Sequence, residues 1–208
     1  MTEIYLLRHG ETPWNADRNR YCGRTDIPLS QIGRAQAAAL REALVSVPLA
    51  AMYVSPLARS RETGAIITGG RPIPLHSDPR LIEIDFGGWE GLPAADIAGF
   101  DPVGRAAWLH DPTATRAGGT GETAAEVSER MTACLAEIAA RHEGEAVAVA
   151  GHNTANRLFL AAALDAPLRS YRQLVLDNAS ISLVEIGEGG TRLVRLNDVT
   201  HLGGAERR

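Results

Sequence analysis

Three apolar runs in this chain are each followed by an imidazole or a guanidinium. Residues 4–7 lead into Arg8-His9-Gly10, residues 50–54 into Ser55-Pro56-Leu57-Ala58-Arg59, and residues 146–150 into Gly151-His152-Asn153. These groups suit phosphoryl transfer. A neutral imidazole can attack phosphorus, and a covalent intermediate divides one hard transfer into two easier ones. The planar donor fork of arginine matches the oxygens of a phosphate. A helix opening just after His152 would offer backbone N–H groups to an anion.

Chemistry of this kind needs the three runs side by side. Short continuous apolar stretches fit strands buried on both faces. In an open parallel sheet, ligands bind beyond the carboxyl ends of the strands, and parallel strands put those ends on one edge. Two His and two Arg would converge there. The rest of the pattern agrees. A polar segment reads as loop up to Leu29, and Ser30 can cap a helix running to about residue 45. Residues 57–67 read as a helix closed by Gly69-Gly70, and residues 73–76 as a further extended stretch. Thr123-Ala124-Ala125-Glu126 fits a capping box, opening a helix whose apolar positions Val127, Met131, Cys134, Leu135 and Ile138 recur at helical spacing. Residues 154–164 read as helix and 181–186 as strand, after which Gly187-Glu188-Gly189-Gly190 turns the chain into a last, antiparallel strand at 192–196.

Strands alternating with helices predict an α/β fold. The expected form is a three-layer sandwich, with a mainly parallel central sheet, one antiparallel edge strand and helices on both faces. We expect a single domain over residues 1–208 with a small cap-like insertion at about 86–121, rich in Gly, Pro and Trp and holding a short helix near 103–109.

Composition narrows the function. With 45% apolar residues in 208, the chain can bury one substantial core. No apolar run reaches the length of a membrane span, and the first residues lack the pattern of a signal peptide. Cys22 and Cys134 give no disulfide framework, so a cytoplasmic setting is expected. The net charge of −4 argues against a nucleic-acid partner. All 21 basic residues are arginine, which removes the lysine of a Walker-type phosphate loop and Schiff-base chemistry. His76, His110, His142 and His201 show no metal-ligand spacing and read as structural or solvated, so neither a metal nor a cofactor is expected.

Five segments in order carry a resemblance. Arg8-His9-Gly10-Glu11-Thr12-Pro13-Trp14-Asn15 resembles the signature of the histidine phosphatase superfamily, which includes the cofactor-dependent phosphoglycerate mutases. Ser55-Pro56-Leu57-Ala58-Arg59 with Thr63 is similar to its second motif, and Leu81-Ile82-Glu83-Ile84-Asp85-Phe86-Gly87-Gly88-Trp89-Glu90-Gly91 to the segment carrying its acid. Gly119-Thr120-Gly121-Glu122-Thr123 resembles a Gly-Gly-Glu-Ser-type turn, and Gly151-His152-Asn153 the last motif. The resemblance implies a phosphoric monoester hydrolase of the histidine acid phosphatase type, acting on a small soluble phosphate ester. It makes His9 the phosphorylated nucleophile. Arg8, Arg59 and His152, with Asn15, become the phosphoryl cage, and Glu83 the general acid. Cys22, Gly23 and Asn153 join Asn15 as substrate-binding candidates.

Several points stay open. Glu11 is a rival acid two residues from His9, and the resemblance favours Glu83. Arg61 could be mistaken for the cage residue, but the Ser-Pro-Leu-x-Arg spacing selects Arg59. Cys22 stands where the family loop often has Gln, whose amide donates better than a thiol. It is a gap-filling residue or a redox-active one. Trp89, Phe100 and Trp108 either line an entrance or form a small satellite core. After Glu83 no base occurs until Arg105, so a second anionic group on the substrate has no obvious partner. That favours a phosphatase over the mutase alternative. A non-catalytic phospho-ligand binder is weakened by the presence of His9 and Glu83.

Overall fold

The computed structural model describes residues 1–203. Six strands, β1 (Thr2–Arg8), β2 (Leu49–Val54), β3 (Leu75–Ser77), β4 (Ala146–Gly151), β5 (Ile181–Gly187) and β6 (Gly190–Asp198), form a sheet in the order β3-β2-β4-β1-β5-β6. The first four run parallel. β5 runs against β1, and β6 runs against β5. The reversed strand therefore lies one place in from the edge, and the edge strand turns back to run with β1.

Both faces of the sheet are covered, which is why its central strands read as continuous apolar runs. Successive side chains of a strand point to opposite faces. Ile4 and Leu6 of β1 and Val147 and Val149 of β4 pack on one side with Val127, Met131 and Leu135 of α6 (Ala124–Arg141). Phe159 of α7 (Asn153–Ala163) joins them there. Leu7, Ala148 and Ala150 pack on the other side with Leu40 of α2 (Gln31–Ala43), which follows the short α1 (Pro13–Ala16), and Ile67 of α3 (Ala58–Thr68). Complete burial of Ile4, Leu6 and Leu7 contributes about 1.5–3 kcal/mol for each side chain. The predicted caps form: Ser30 Oγ accepts from Gly33 N, and Thr123 and Glu126 make the capping box of α6.

The segment read as a cap-like insertion differs in detail. It holds two helices, α4 (Ala94–Phe100) and α5 (Pro102–His110), where the sequence predicted one. Trp89 and Trp108 line no entrance. They are almost fully buried, meet edge-on with ring centroids 6.2 Å apart, and belong to the main core. Phe100 points outward and is 69% exposed.

Candidate active site

Strand register aligns the catalytic candidates. β4 lies between β1 and β2, with Arg8 opposite Gly151 and Ala150 opposite Val54. His9, His152 and the Ser55–Arg59 turn thus leave the sheet along one line. Because β5 is antiparallel, it begins where β1 ends, and the loop before it joins the same edge. Leu176 O in that loop accepts from Arg8 Nη1 at 2.7 Å, and Asn178 Nδ2 donates to His9 O at 3.2 Å.

The nucleophile loop is fixed by close packing. A Cβ on Gly33 would fall 2.0 Å from Glu11 O, and one on Gly10 would fall 2.3 Å from Gly33 O. Two glycines therefore let α2 rest directly on the backbone after His9. His9 Nδ1 lies 2.7 Å from Gly10 O. A carbonyl only accepts, so Nδ1 carries the proton and Nε2 keeps its lone pair. His9 is 3% exposed, and its pKa lies well below the usual imidazole value because burial and the nearby Arg59 and Arg8 disfavour the cation. The imidazole is thus neutral.

His152 is fully buried, its ring 5.2 Å from that of His9, and its Nε2 is 2.7 Å from Ser55 Oγ. Burial, then Arg59 and His9, push its pKa well below the usual value. Its Nδ1 is buried and has no protein partner.

Arg8 and Arg59 are held by backbone carbonyls. Arg59 donates from Nη1 to Thr25 O and from Nη2 to Gly23 O. Burial, followed by the neighbouring Arg157, lowers Arg8 to about 10, and burial also lowers Arg59. Each leaves its Nε without a protein partner. Gly23 holds Arg59 through its carbonyl. Its φ of +50° and the Glu90 carboxylate beside it demand glycine. Glu90, unremarked in the sequence, fastens this loop by accepting from Arg24 N and Thr25 N. Arg61 is exposed and donates to Pro56 O, so Arg59 is the arginine the site uses.

Glu83 lines the cavity and is 5% exposed. Its carboxylate accepts from Ile84 N, Thr154 N and Ala155 N at 2.9, 3.1 and 2.9 Å. Two N-terminal amides of α7, those of Thr154 and Ala155, are therefore taken by Glu83, where the sequence had offered the helix N-terminus to a ligand anion. Arg130 anchors the loop by donating to Ile82 O and to Glu122, the acidic residue of the Gly-Thr-Gly-Glu-Thr turn. Glu11 is buried facing Ser30 Oγ, 2.7 Å away, and lies outside the cavity wall.

Arg8, His9, Arg59 and Glu83, with Asn15, Cys22 and Asn153, line a cavity of about 230 Å3. Asn15 Oδ1 accepts from Thr12 N and Asn178 Nδ2, so its amide orientation is set. Asn153 Oδ1 is buried without a partner. Burial pushes the Cys22 thiol above its usual pKa, against a reactive thiolate. Cys22→Ser should change kcat/KM for an aryl phosphate by less than about tenfold, since a thiol is a weak donor. A loss beyond that in steady-state assays would make the sulfur a phosphoryl ligand.

The wall also carries Arg157, Arg20, Tyr21 and Tyr171, which the strand-end argument did not reach. Arg157 sits four residues after Asn153 on α7, a helical spacing that could have flagged it. It corrects the expectation that a second anionic group finds no cation. Among the described residues no group of three or more His, Cys, Asp or Glu is placed to hold a metal ion, and no helix is long and apolar enough to cross a membrane.

Comparison with known proteins agrees with this geometry. Phosphoserine phosphatase 1 of Hydrogenobacter thermophilus is 32% identical over 203 residues, covering 98% of this chain and 95% of the relative. The structure of Bacillus stearothermophilus YhfR superposes with a TM-score of 0.88 at 36% identity, covering 97% of this chain and 99% of that one. An Entamoeba histolytica phosphoserine phosphatase in complex with 3-phosphoglyceric acid gives a TM-score of 0.89 at 26% identity, covering 98% of this chain and 100% of that one. The profile of the histidine phosphatase superfamily (branch 1) matches residues 4–199, and the chain belongs to that superfamily.

Proposed function

We propose that this protein is a phosphomonoesterase that hydrolyses small phosphate esters through a phosphohistidine at His9. The observation that carries the reading is the tautomer of His9: Nδ1 is committed to Gly10 O, and Nε2 is free in a cavity walled by Arg8, Arg59 and Glu83. In the first step Nε2 attacks phosphorus, a P–N bond forms and the ester P–O bond breaks. Glu83 in its acid form gives its proton to the departing oxygen. In the second step the resulting carboxylate takes a proton from water as the water oxygen attacks phosphorus. The P–N bond breaks and phosphate leaves. Arg8 and Arg59 neutralise the phosphoryl oxygens throughout, and the Gly10 carbonyl offsets charge on the phosphorylated ring.

Arginines here supply the positive charge a metal would otherwise bring, so the reaction is metal-independent in this reading. Two unpaired cysteines fit a reducing, cytoplasmic setting. The phosphoserine phosphatases among its relatives support hydrolysis of a small phosphorylated metabolite. A mutase is the second reading, because Arg157 could hold the far anion of a phosphoglycerate.

One assay separates the two. The protein is primed with bisphosphoglycerate and given 3-phosphoglycerate in the presence of a chelator. The expected product is inorganic phosphate, at a rate the chelator does not alter. Formation of 2-phosphoglycerate faster than phosphate would make the mutase reading correct. Activity lost to the chelator and restored by a divalent cation would remove the metal-independent mechanism.

A further inference from the structure

We infer that Arg157, braced by Tyr171, is a specificity residue that selects phosphate esters whose alcohol part carries a carboxylate. The inference rests on hydrolysis at His9 and adds to it the chemistry of the leaving group.

Arg157 is poorly satisfied by the protein. Its Nε donates to Asn153 O at 3.3 Å and its Nη1 to Leu174 O at 3.4 Å, both long, and among the described residues no carboxylate pairs with it. Its guanidinium lies 5.2 Å from the centre of the Tyr171 ring. Arg172 stacks on the same ring at 4.6 Å and donates to Trp108 O at 3.0 Å. The Tyr171 hydroxyl accepts from Trp108 Nε1 at 3.3 Å. The ring thus has two guanidinium groups within cation–π reach, and it contacts Arg157 at the cavity wall without neutralising its charge.

Charge balance says what Arg157 awaits. Arg20 is paired with Asp17, which leaves Arg8, Arg59 and Arg157 as the unpaired cations of the wall. In the form that can give a proton, Glu83 carries no charge. Arg8 and Arg59 match the two charges of a phosphoryl group, so Arg157 is left for one further negative charge. A cavity of about 230 Å3 has room for a phosphoryl group and a short carbon body. A carboxylate supplies the missing charge and suits the donor fork of arginine. Beside it, the unpartnered Asn153 Oδ1 can accept from an amine or hydroxyl on the same carbon body.

Two substrate pairs differ only at the carboxylate: O-phosphoserine against O-phosphoethanolamine, and 3-phosphoglycerate against glycerol 3-phosphate. Wild-type protein should favour the carboxylate member of each pair by about 10- to 100-fold in kcat/KM, as expected for a hydrogen-bonded charge. Arg157→Met should bring both ratios close to one, and Arg157→Lys should keep part of the preference. The ratio is the readout, so a general loss of activity does not imitate the effect. If Arg157→Met does not fold, a ratio in Arg157→Lys equal to that of the wild type overturns the inference. Ratios near one in the wild type, or unchanged in Arg157→Met, overturn it too. So does wild-type turnover of an aryl phosphate with no turnover of any of the four. Failure to hydrolyse any phosphomonoester, aryl phosphate included, would instead remove the phosphatase reading beneath it.

Discussion

His9→Ala protein should take up no phosphoryl group and should turn over phosphomonoesters at least about 10⁴-fold more slowly than wild type, the scale on which loss of a nucleophile is felt. The variant removes the neutral imidazole nitrogen that the cavity wall offers for attack on phosphorus. His152 should not substitute, because its Nε2 is engaged by Ser55 Oγ. Cys22 cannot substitute either, because burial keeps its thiol protonated. The fold should survive, since the hydrophobic residues that build both core clusters are unchanged in this variant. Mixing wild type with labelled substrate and quenching in alkali should retain label on the protein, and acid should release it, as for a phosphoramidate. Labelled His9→Ala protein, or wild-type label traced to a serine or an aspartate, would show that the reaction takes another course.

The part of the site that was legible in the sequence is the part built on strand ends. Arg8, His9, Arg59 and His152 follow apolar runs, and parallel pairing with matched register brings such residues together whatever the loops do. The rest depends on contacts between segments far apart in the chain. Asn178 reaches His9 only because β5 runs backwards and starts at the catalytic edge. Glu83 takes the amides of α7 across 71 residues of sequence, a pairing no local pattern encodes. Arg157 is one arginine among 21, and its position facing the cavity emerges only when α7 is docked.

The insertion was harder to read for a different reason. Its first helix is seven residues long and buries only Ile97, too little for a helical period to register. Its tryptophans left two readings open, an entrance or a small satellite core, because large aromatics beside a site serve as either. Their N–H groups find partners inside the protein instead, Trp89 on Asp101 and Trp108 on Tyr171, and this lets both rings sink into the core. The insertion therefore braces the cavity wall through Tyr171, and the cavity itself is lined by Phe86 and Ala94 on that side.

Glu83→Gln should lower kcat/KM for alkyl phosphates by about 10²–10⁴-fold, and for an aryl phosphate with a good leaving group far less. An alkoxide is a poor leaving group unless it is protonated as the P–O bond breaks, whereas an activated phenolate departs unaided. The dependence on leaving group therefore isolates proton donation from any role in binding. Glutamine nearly preserves the shape of the side chain, but its NH2 cannot accept. One of the three backbone N–H contacts at Ile84, Thr154 and Ala155 is then lost, which costs all substrates alike. The informative quantity is the slope of log kcat/KM against leaving-group pKa. It should be shallow in the wild type and steep in Glu83→Gln. For phosphohistidine formed from a good substrate, the variant should also turn over slowly, because the same residue must take a proton from the attacking water. That predicts a burst of phenol in the first turnover followed by a slow steady state. Parallel slopes and no burst would mean that Glu83 orients α7 and the substrate without moving a proton. A steep slope in Glu11→Gln would move the acid to the other side of His9, against the contact that turns Glu11 toward Ser30.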